Sequence, residues 1–312
     1  MKSTFFPKQI CVLLAMTGSI FLLSCDKKEA PLVAATFTST VSDAQQAPRL
    51  VNTFWSTGDA IGISGVSAGV AYTNVKYVTP GGNGQFTVAQ AGNEIYYQSD
   101  EQVTFTAYYP FTGTTGTAVG VVTKTLTAND QLAAAQPSID YLYGKGTGSA
   151  ASPQVTLGFD HCMSRVVLNF APGDGFANLP EQLTCTLGGL VMQGSFNPAD
   201  GKAHAVENAQ AENVTMEVAR NAAGSQSLTL IFFPQATPSA TLDVTAGGVT
   251  YGSTLQFKKG NGNPDVGLHP GYSYIFNVTV CKTGLVIGEA NVSDWIPGNG
   301  TGGEDVSAEQ GG

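Results

Sequence analysis

The stretch LHPGYSYIFNVTV, residues 268–280, indicates most directly which kind of fold the chain adopts. Pro270 and Gly271 favour a tight turn, because proline presets φ for a turn and glycine tolerates a positive φ. The residues from Tyr272 to Val280 are mostly aromatic or β-branched, which favours an extended strand over a helix. The stretch therefore predicts a long strand that is entered through a turn.

Runs of the same kind recur along the chain. Gly, Thr, Ser and Asn interrupt the sequence about every 8–12 residues, and β-branched and aromatic residues fill the intervals, which is typical of many short strands. Pro110 and Pro234 end two of these runs, where a missing N–H costs least. Clear examples are VKYV at 75–78, VTFTAYY at 103–109, VVLNF at 166–170 and LTLIFF at 228–233. We therefore expect an all-β protein built from two β-sandwiches.

The 312 residues leave room for two domains of ordinary size. The small-residue stretch at 144–153 predicts a flexible boundary between domains at 50–152 and 153–297. The alternative is that this stretch is a long hairpin loop inside one domain. The best helix candidate is the alanine-rich turn or two around Asn129 to Gln136, with Asn or Asp as the N-cap. Residues 298–312 are rich in glycine and acidic residues and predict a flexible tail.

The N-terminus has the features of an export signal. Two lysines precede an apolar run, Ile10 to Leu23, which is shorter than the roughly 20 residues that a membrane-spanning helix needs. The run ends in LLSC, which resembles the bacterial lipobox, so residues 1–24 are predicted to be a signal peptide and Cys25 the acylated first residue. A plain signal peptide and an uncleaved anchor are the alternatives. Acyl chains on Cys25, palmitate among them, would hold the protein on the outer membrane at the cell surface.

The composition argues against several classes of function. The formal net charge is −9, and loss of the two signal-peptide lysines leaves 12 basic against 23 acidic residues, or −11. We expect no nucleic-acid partner, because phosphate binding needs clustered Lys and Arg. Only 12% of residues are charged and 42% are hydrophobic, so we expect a folded core. Cys162 and Cys281 lie in alternating apolar runs and are expected to be small buried hydrophobes rather than partners in a disulfide. No zinc site is expected, because the sequence contains no C-x-x-C.

Two short patterns contain residue types that are common in active sites, but neither is expected to place them so that they can act in catalysis. GVSAG at 65–69 matches G-x-S-x-G, but the nucleophile elbow needs a helix after the serine, whereas residues 71–78 predict a strand. Ser67 is therefore not expected to be a nucleophile. The sequence DHC at 160–162 places three reactive side chains together, but successive side chains on a strand point to opposite faces, so His161 is expected to be structural. We predict no enzymatic activity, no catalytic residue, no metal site and no cofactor.

Seven short patterns follow one another along the mature chain. They are WSTGDAIGI at 55–63, GQF at 84–86, AYYP at 107–110, DYLYG at 140–144, FDHCMSRV at 159–166, LHPGYSY at 268–274, and GLVI at 284–287 running to Asp294-Trp295. In this order, behind a lipobox, they resemble the fimbrillin-like pilus subunits of Bacteroidales. The resemblance implies two transthyretin-like β-sandwich domains in tandem. It also implies partners that are other pilus subunits, joined by strand donation into a homo- or hetero-polymeric surface fimbria.

The resemblance also gives the segment before the first domain a role. A period-two pattern, typical of a half-buried strand, runs through Val33, Ala35, Phe37 and Val41. Arg49 is the only Lys or Arg between positions 28 and 76. In the family, removal of the first strand after an arginine opens the groove that accepts a neighbour's strand, so Arg49 is the expected processing site and residues 25–49 the expected plug. The alternative is an ordinary linker with a solvated arginine. At the other end, residues 284–296 alternate in a way that suits a donated strand.

A structural or adhesive fimbrial subunit is the leading interpretation. The alternative is a non-polymerising surface lipoprotein that binds a glycan or a host protein through exposed aromatic side chains. Its candidate residues are Tyr96, Tyr97, Tyr108 and Tyr109. A secreted hydrolase is a third interpretation. Filaments or SDS-resistant ladders would favour the first, and glycan binding by a monomer would favour the second.

Overall fold

The computed structural model describes residues 1, 31–40, 55–258 and 266–295. In this part of the chain the fold consists of strands joined by turns, with two short 3-10 turns at Ala128–Gln131 and Gln136–Ser138. The all-β prediction is thereby confirmed. Several predicted features lie outside the described residues, namely the signal peptide at 1–24, Cys25, Val41, Arg49, Ile296 and the tail at 298–312.

The first ten strands build mainly one closed sheet. They are β1 Val33–Ala34, β2 Thr36–Thr40, β3 Ala60–Ser67, β4 Val70–Val78, β5 Gln85–Val88, β6 Tyr96–Tyr97, β7 Val103–Tyr109, β8 Val122–Thr125, β9 Leu142–Gly148 and β10 Gln154–His161. The order around the barrel is β10-β2-β5-β4-β3-β7-β9, and β9 pairs back with β10. The short strands β1 and β6 pair with each other. Because β10 belongs to the barrel, the barrel strands continue past residue 152, and the division into two domains at that point stays a prediction.

The remaining strands form two facing sheets and a small third one. They are β11 Ser164–Pro172, β12 Gln182–Val191, β13 Gln193–Asn197, β14 Lys202–Ala205, β15 Ala211–Ala219, β16 Gln226–Phe232, β17 Ser239–Ala246, β18 Val249–Gln256, β19 Tyr272–Cys281, β20 Gly284–Ile287 and β21 Asn291–Asp294. One sheet has the order β16-β11-β19-β20, with β21 also paired to β19, and the other has the order β15-β12-β17-β18. The third sheet, β14-β13-β8, takes β8 from the first part of the chain.

The buried apolar side chains form two clusters, one for each group of strands. The smaller cluster fills the barrel. The larger cluster includes four side chains of β19 that alternate along the strand: Tyr274, Phe276, Val278 and Val280. Successive side chains of a strand point to opposite faces, so this alternation places one face of β19 on the core. The long strand predicted from the opening stretch is confirmed, and Gly271 enters it with a φ of 74°.

The predicted helical stretch is present as the two 3-10 turns, and its N-cap is Thr127. The Thr127 side chain and Asp130 form a reciprocal capping box. Both turns direct buried glutamine side chains at the edge of β16. The Gln131 side-chain amide donates to the Ile231 carbonyl and accepts from the Ile231 N–H, both at 2.8 Å. Gln136 donates to a carbonyl of the same strand at 2.7 Å. These side chains satisfy edge groups that would otherwise lack partners.

Candidate functional site: the groove filled by the N-terminal strand

Strand β2 is the link that closes the barrel. It pairs in parallel with β10 on one side and antiparallel with β5 on the other. Phe37 lies opposite Val155 of β10 and opposite Phe86 of β5. In the described part of the chain, β5 and β10 are joined only through β2. Without β2, the barrel would therefore be an open sheet with a groove one strand wide.

The side chains of the N-terminal segment, from β1 through Ala35 into β2, differ in burial. Ala35 and Phe37 are buried, as the period-two pattern predicts, whereas Val33 is 37% exposed. The Phe37 ring is 1% exposed and meets the rings of Tyr77 and Phe105 edge-on, at centroid distances of 5.0 and 5.2 Å. Burying a phenylalanine side chain contributes about 1.5–3 kcal/mol from transfer alone. Phe37 is therefore the main apolar anchor of the strand.

Hydrogen bonds hold both ends of the N-terminal strand. At its start, the Thr36 N–H donates to the Pro153 carbonyl at 3.0 Å. At its end, the Ser39 N–H donates to the Gly84 carbonyl at 2.8 Å, and the Trp55 indole N–H donates to Ser39 Oγ at 2.7 Å. A Cβ on Gly84, whose φ is 73°, would lie 2.5 Å from Ser39 Oγ. The glycine of GQF and the tryptophan of WSTGD are thus positioned to receive this strand.

The first half of β10 depends on β2 for its backbone pairing. β2 pairs with Gln154–Gly158, whereas β9 pairs with Gly158–His161. Among the described residues, the stretch 154–157 therefore has β2 as its only ladder neighbour. The pairing of β10 with β2 was not predicted from the sequence. The signal for β10 itself is the period-two spacing of Val155, Leu157 and Phe159.

The groove is suited to an extended segment of about five residues. Its walls offer the backbone groups of β5 and β10, and its floor is apolar, since Tyr77, Phe86, Phe105 and Val155 are buried there. An extended segment could form backbone hydrogen bonds with β5 and β10, and apolar side chains two residues apart would be buried against the floor of the groove. This is the geometry of β-strand addition. The predicted lipid-bearing Cys25 and the predicted processing site Arg49 lie outside the described residues, one on each side of β2 in the sequence.

Ser67 does not sit on a nucleophile elbow. It ends β3, is buried, and its Oγ accepts a hydrogen bond from the Gln98 N–H at 2.8 Å. Ala68 and Gly69, with φ values of 42° and 84°, form a two-residue turn, and Ser67 pairs with Val70 across it. This is a hairpin turn, in which both central residues have positive φ. The strand β4 follows where the motif requires a helix.

The side chains of Asp160, His161 and Cys162 do not converge. Asp160 is exposed, whereas His161 and Cys162 are buried. His161 Nδ1 lies 2.7 Å from a carboxylate oxygen of Asp140, and its ring stacks on Trp295 at 3.8 Å between centroids. His161 therefore has a structural position, as predicted. Cys162, Cys185 and Cys281 are free and buried, and burial raises the pKa of the Cys185 thiol to about 12.

The alternative function relied on four tyrosines as exposed aromatic side chains, and three of the four are not exposed. Tyr97, Tyr108 and Tyr109 are buried, and Tyr96 is half-buried. The end of β7, from Ala107 to Tyr109, is covered on both faces. Tyr108 packs in the larger core cluster and Tyr109 in the barrel cluster, which also contains Tyr97 of β6. Burial raises the pKa of the Tyr108 hydroxyl, which donates to Asn74 Oδ1 at 2.8 Å. These three side chains do not present an aromatic surface to a ligand.

In the described part of the chain, no three His, Cys, Asp or Glu side chains are grouped so that they could hold a metal ion. The same residues contain no helix with the length and apolar character needed to cross a membrane.

Comparison with known proteins connects this chain to one protein family and to solved structures of Bacteroides proteins. The fimbrillin-like family model matches residues 47–295. A solved structure of a protein assigned to cell adhesion in Bacteroides ovatus is 29% identical, with a TM-score of 0.73 over 86% of this chain and 99% of that one. A second, from Bacteroides uniformis, is 23% identical, has a TM-score of 0.64 over 85% of this chain and 99% of that one, and shares the fold. No curated protein matches the chain.

Proposed function

Because the chain belongs to the fimbrillin-like family, we propose that it is a structural or adhesive subunit of a cell-surface fimbria, assembled with other subunits by strand donation. One observation carries the proposal. The strand that closes the barrel, β2, belongs to an N-terminal segment that a single cut at Arg49 would remove. With β2 removed, the other six strands of the barrel would still be paired with one another in order, so the cut opens a groove between β5 and β10.

In this proposal the N-terminal segment is both tether and plug. The signal peptide, residues 1–24, is removed on export, and acylated Cys25 holds the chain on the outer membrane. A protease of trypsin-like specificity then cuts after Arg49, the one basic residue available between positions 28 and 76. The cut frees the subunit from its lipid and lets β2 leave the groove. A neighbouring subunit fills the groove with its own extended segment.

The geometry of β2 specifies what the incoming segment must look like. It must pair in parallel with β10 and antiparallel with β5, as β2 does. It must also place apolar side chains at the positions of Ala35 and Phe37, because these face the barrel interior. Residues 284–296, with Leu285 and Ile287 two residues apart, meet the apolar requirement. We propose this C-terminal stretch as the donor.

The alternative function, a non-polymerising lipoprotein that binds a glycan or host protein, is not favoured by the site. It was based on exposed tyrosines, and three of these are buried. We further propose that the chain acts without catalysis. The hairpin turn at Ser67 supports this view, because it presents the hydroxyl to the Gln98 N–H in the interior rather than to a substrate.

Removal of residues 25–49 is expected to expose one defined half of β10. In a monomeric chain that begins at Leu50, backbone amides of 154–157 should exchange at least about tenfold faster than in the uncut chain, because their only described ladder partner is gone. Amides of 158–161 should keep their protection, since β9 still pairs with them. Hydrogen exchange with peptide-level mass spectrometry measures both.

A synthetic peptide of residues 31–41 provides the control for this measurement. Added to the chain that begins at Leu50, it should restore protection at 154–157. The same peptide with Phe37 replaced by Asp should not. Equal protection of 154–157 in the cut and uncut monomers would show that β2 does not fill an acceptor groove.

A further inference from the structure

The turn that leads into β5 contains an exposed asparagine followed by a buried glycine. Residues 81–84 read GGNG, with Asn83 exposed at the rim of the β2 groove and Gly84 buried against Ser39. Asparagine is one of the thermolabile residues. Its side-chain amide is most open to attack by the next main-chain nitrogen when the next residue is glycine, because glycine has no Cβ to hinder the approach. Asn83 therefore has the chemistry of a spontaneous modification site.

The reaction at Asn83 needs water and neither an enzyme nor a cofactor. The main-chain nitrogen of Gly84 gives up its proton to water and attacks Cγ of Asn83. A C–N bond forms, the Cγ–Nδ2 bond breaks, and the amide nitrogen takes up a proton and leaves as ammonia. Water then opens the resulting cyclic imide. Opening at the former side-chain carbonyl gives aspartate, and opening at the main-chain carbonyl gives isoaspartate, whose main chain is longer by a CH2 group.

The side chain of Asn83 is held close to the main chain that attacks it. Its Oδ1 accepts a hydrogen bond from the Gln85 N–H at 3.1 Å, which folds the amide group along the main chain and polarises its carbonyl. The reaction still requires the two reacting atoms to come into line at about 3–3.5 Å. This alignment needs rotation of the main chain between Asn83 and Gly84, so the rate depends on how firmly the main chain is held there.

The N-terminal strand β2 holds the main chain directly after this bond. The Gly84 carbonyl accepts from the Ser39 N–H at 2.8 Å, and a Cβ on Gly84 would lie only 2.5 Å from Ser39 Oγ. Residues 85–86 pair with β2, whereas residues 87–88 pair with β4. Among the described residues, the start of β5 therefore has β2 as its only strand partner. Removal of β2 frees a stretch of main chain that β4 does not hold.

We propose that Asn83 is a self-modifying site whose rate of deamidation is set by the occupant of the β2 groove. While β2 or a strand in its place is bound, the main chain at Gly84 is fixed and the reaction is slow. In a chain with an empty groove the reaction is fast. The proposal deepens the proposed function and rests on it in one respect, namely that loss of β2 empties the groove.

The modification would limit the time for which an empty groove can accept a strand. Isoaspartate lengthens the main chain directly before Gly84, so it displaces the carbonyl that accepts from Ser39 or from the equivalent residue of an incoming strand. Both products also add a negative charge to the rim of the groove. A subunit that has lost its plug and found no neighbour therefore becomes unable to join a fibre.

Two variants of the mature, uncut chain test the control by β2. Phe37→Asp places a charge at the buried anchor of β2 and should expel the strand. Ser39→Pro removes only the N–H that binds the Gly84 carbonyl. We expect deamidation of Asn83 to be at least about tenfold faster in Phe37→Asp than in the unaltered chain, and faster by a smaller factor in Ser39→Pro. Peptide mass spectrometry after incubation at neutral pH measures the rates.

Internal controls separate this effect from general unfolding. The sequence contains two further Asn-Gly pairs, at 261–262 and 299–300, beyond the last barrel strand, and their rates should be the same in all chains. The amides of β12, which is paired by β15 and β17, should keep their protection from hydrogen exchange. Val33→Ala, in the same segment as β2, should leave the rate at Asn83 unchanged. The proposal is overturned if Ser39→Pro does not accelerate Asn83, or if both variants accelerate it only with loss of protection in β12.

Ageing of the Phe37→Asp chain tests the consequence for strand acceptance. After incubation, this chain should bind a peptide of residues 31–41 at least about tenfold more weakly than the fresh chain does. The same chain with Asn83→Gln should bind equally before and after, because a glutamine closes the corresponding ring far more slowly. Equal binding by fresh and aged Phe37→Asp chains overturns the inferred effect on assembly. No measurement requires fibres or cleavage at Arg49, so this proposal can fail while the proposed assembly stands, and the reverse.

Discussion

Replacing Arg49 by alanine is expected to leave the chain uncut, lipid-bearing and at least about tenfold depleted from surface fibres in the native host. The reason is that Arg49 is the only Lys or Arg between positions 28 and 76, so its loss removes the one target for a trypsin-like protease in that interval. The uncut chain keeps β2 in the barrel, and an occupied groove cannot accept a neighbour's strand. Immunoblotting of membrane and fibre fractions measures chain length and amount together.

Lys28→Ala is the matched control for Arg49→Ala. It removes a basic residue from the same N-terminal segment but lies on the far side of β2, so it should mature and assemble like the unaltered chain. If Arg49→Ala and the unaltered chain reach the same mature length and give equal fibre, processing at Arg49 plays no part in the assembly of this protein.

Phe37→Ala is expected to lower the free energy of unfolding of the uncut chain by about 3–5 kcal/mol, the range for truncating a buried phenylalanine. The side chain is almost fully buried and contacts the rings of Tyr77 and Phe105 edge-on. Its loss leaves a cavity at the centre of the barrel, and the aromatic contacts are lost as well. Urea unfolding followed by circular dichroism gives the change.

Val33→Ala is the control for Phe37→Ala, because it truncates a partly exposed side chain in the same segment. It should cost no more than about 0.5 kcal/mol. A cost below about 1 kcal/mol for Phe37→Ala would contradict the packing of β2, and with it the view that this strand is the plug of the groove.

The N-terminal strand and β19 were predictable because their patterns are local. The alternation through Ala35 and Phe37 identifies the buried face of β2 without knowledge of its neighbours. The pair Pro270-Gly271 marks the start of β19 in the same way. The position of β2 in the barrel was not predictable, because Phe37 and Val155 are far apart in sequence and only the folded barrel brings them together.

The burial of the tyrosines in the alternative interpretation has a different physical cause. Where a strand is buried on both faces, as β7 is from Ala107 to Tyr109, consecutive apolar residues do not show which side chains are exposed. Tyr108 and Tyr109 lie on such a strand, between the two core clusters.

Asn74 is a feature with no local signal in the sequence. It is buried with a φ of 47°, and its side chain donates to the carbonyls of Thr112 and Thr114 and accepts from the Tyr108 hydroxyl. Its role depends on a loop more than thirty residues away along the chain, so only the tertiary structure reveals it.

His161 and Trp295 illustrate both cases. Both residues lie in segments that the sequence patterns contain, and a structural rather than catalytic role was predicted for His161. Their contact was not, since it joins the last residue of β10 to the residue that follows β21. A resemblance can mark such residues, but the reason for their presence comes from the stacking geometry.

The most direct test of the central claim is to identify the first residue of this chain in purified surface fibres and, separately, in the membrane fraction. Mass spectrometry of the N-terminal peptides gives both. We expect chains in fibres to begin at Leu50, without lipid and without β2, and membrane-bound precursors to begin at acylated Cys25. Fibres built from chains that begin at Cys25 and retain β2 would contradict assembly through this groove.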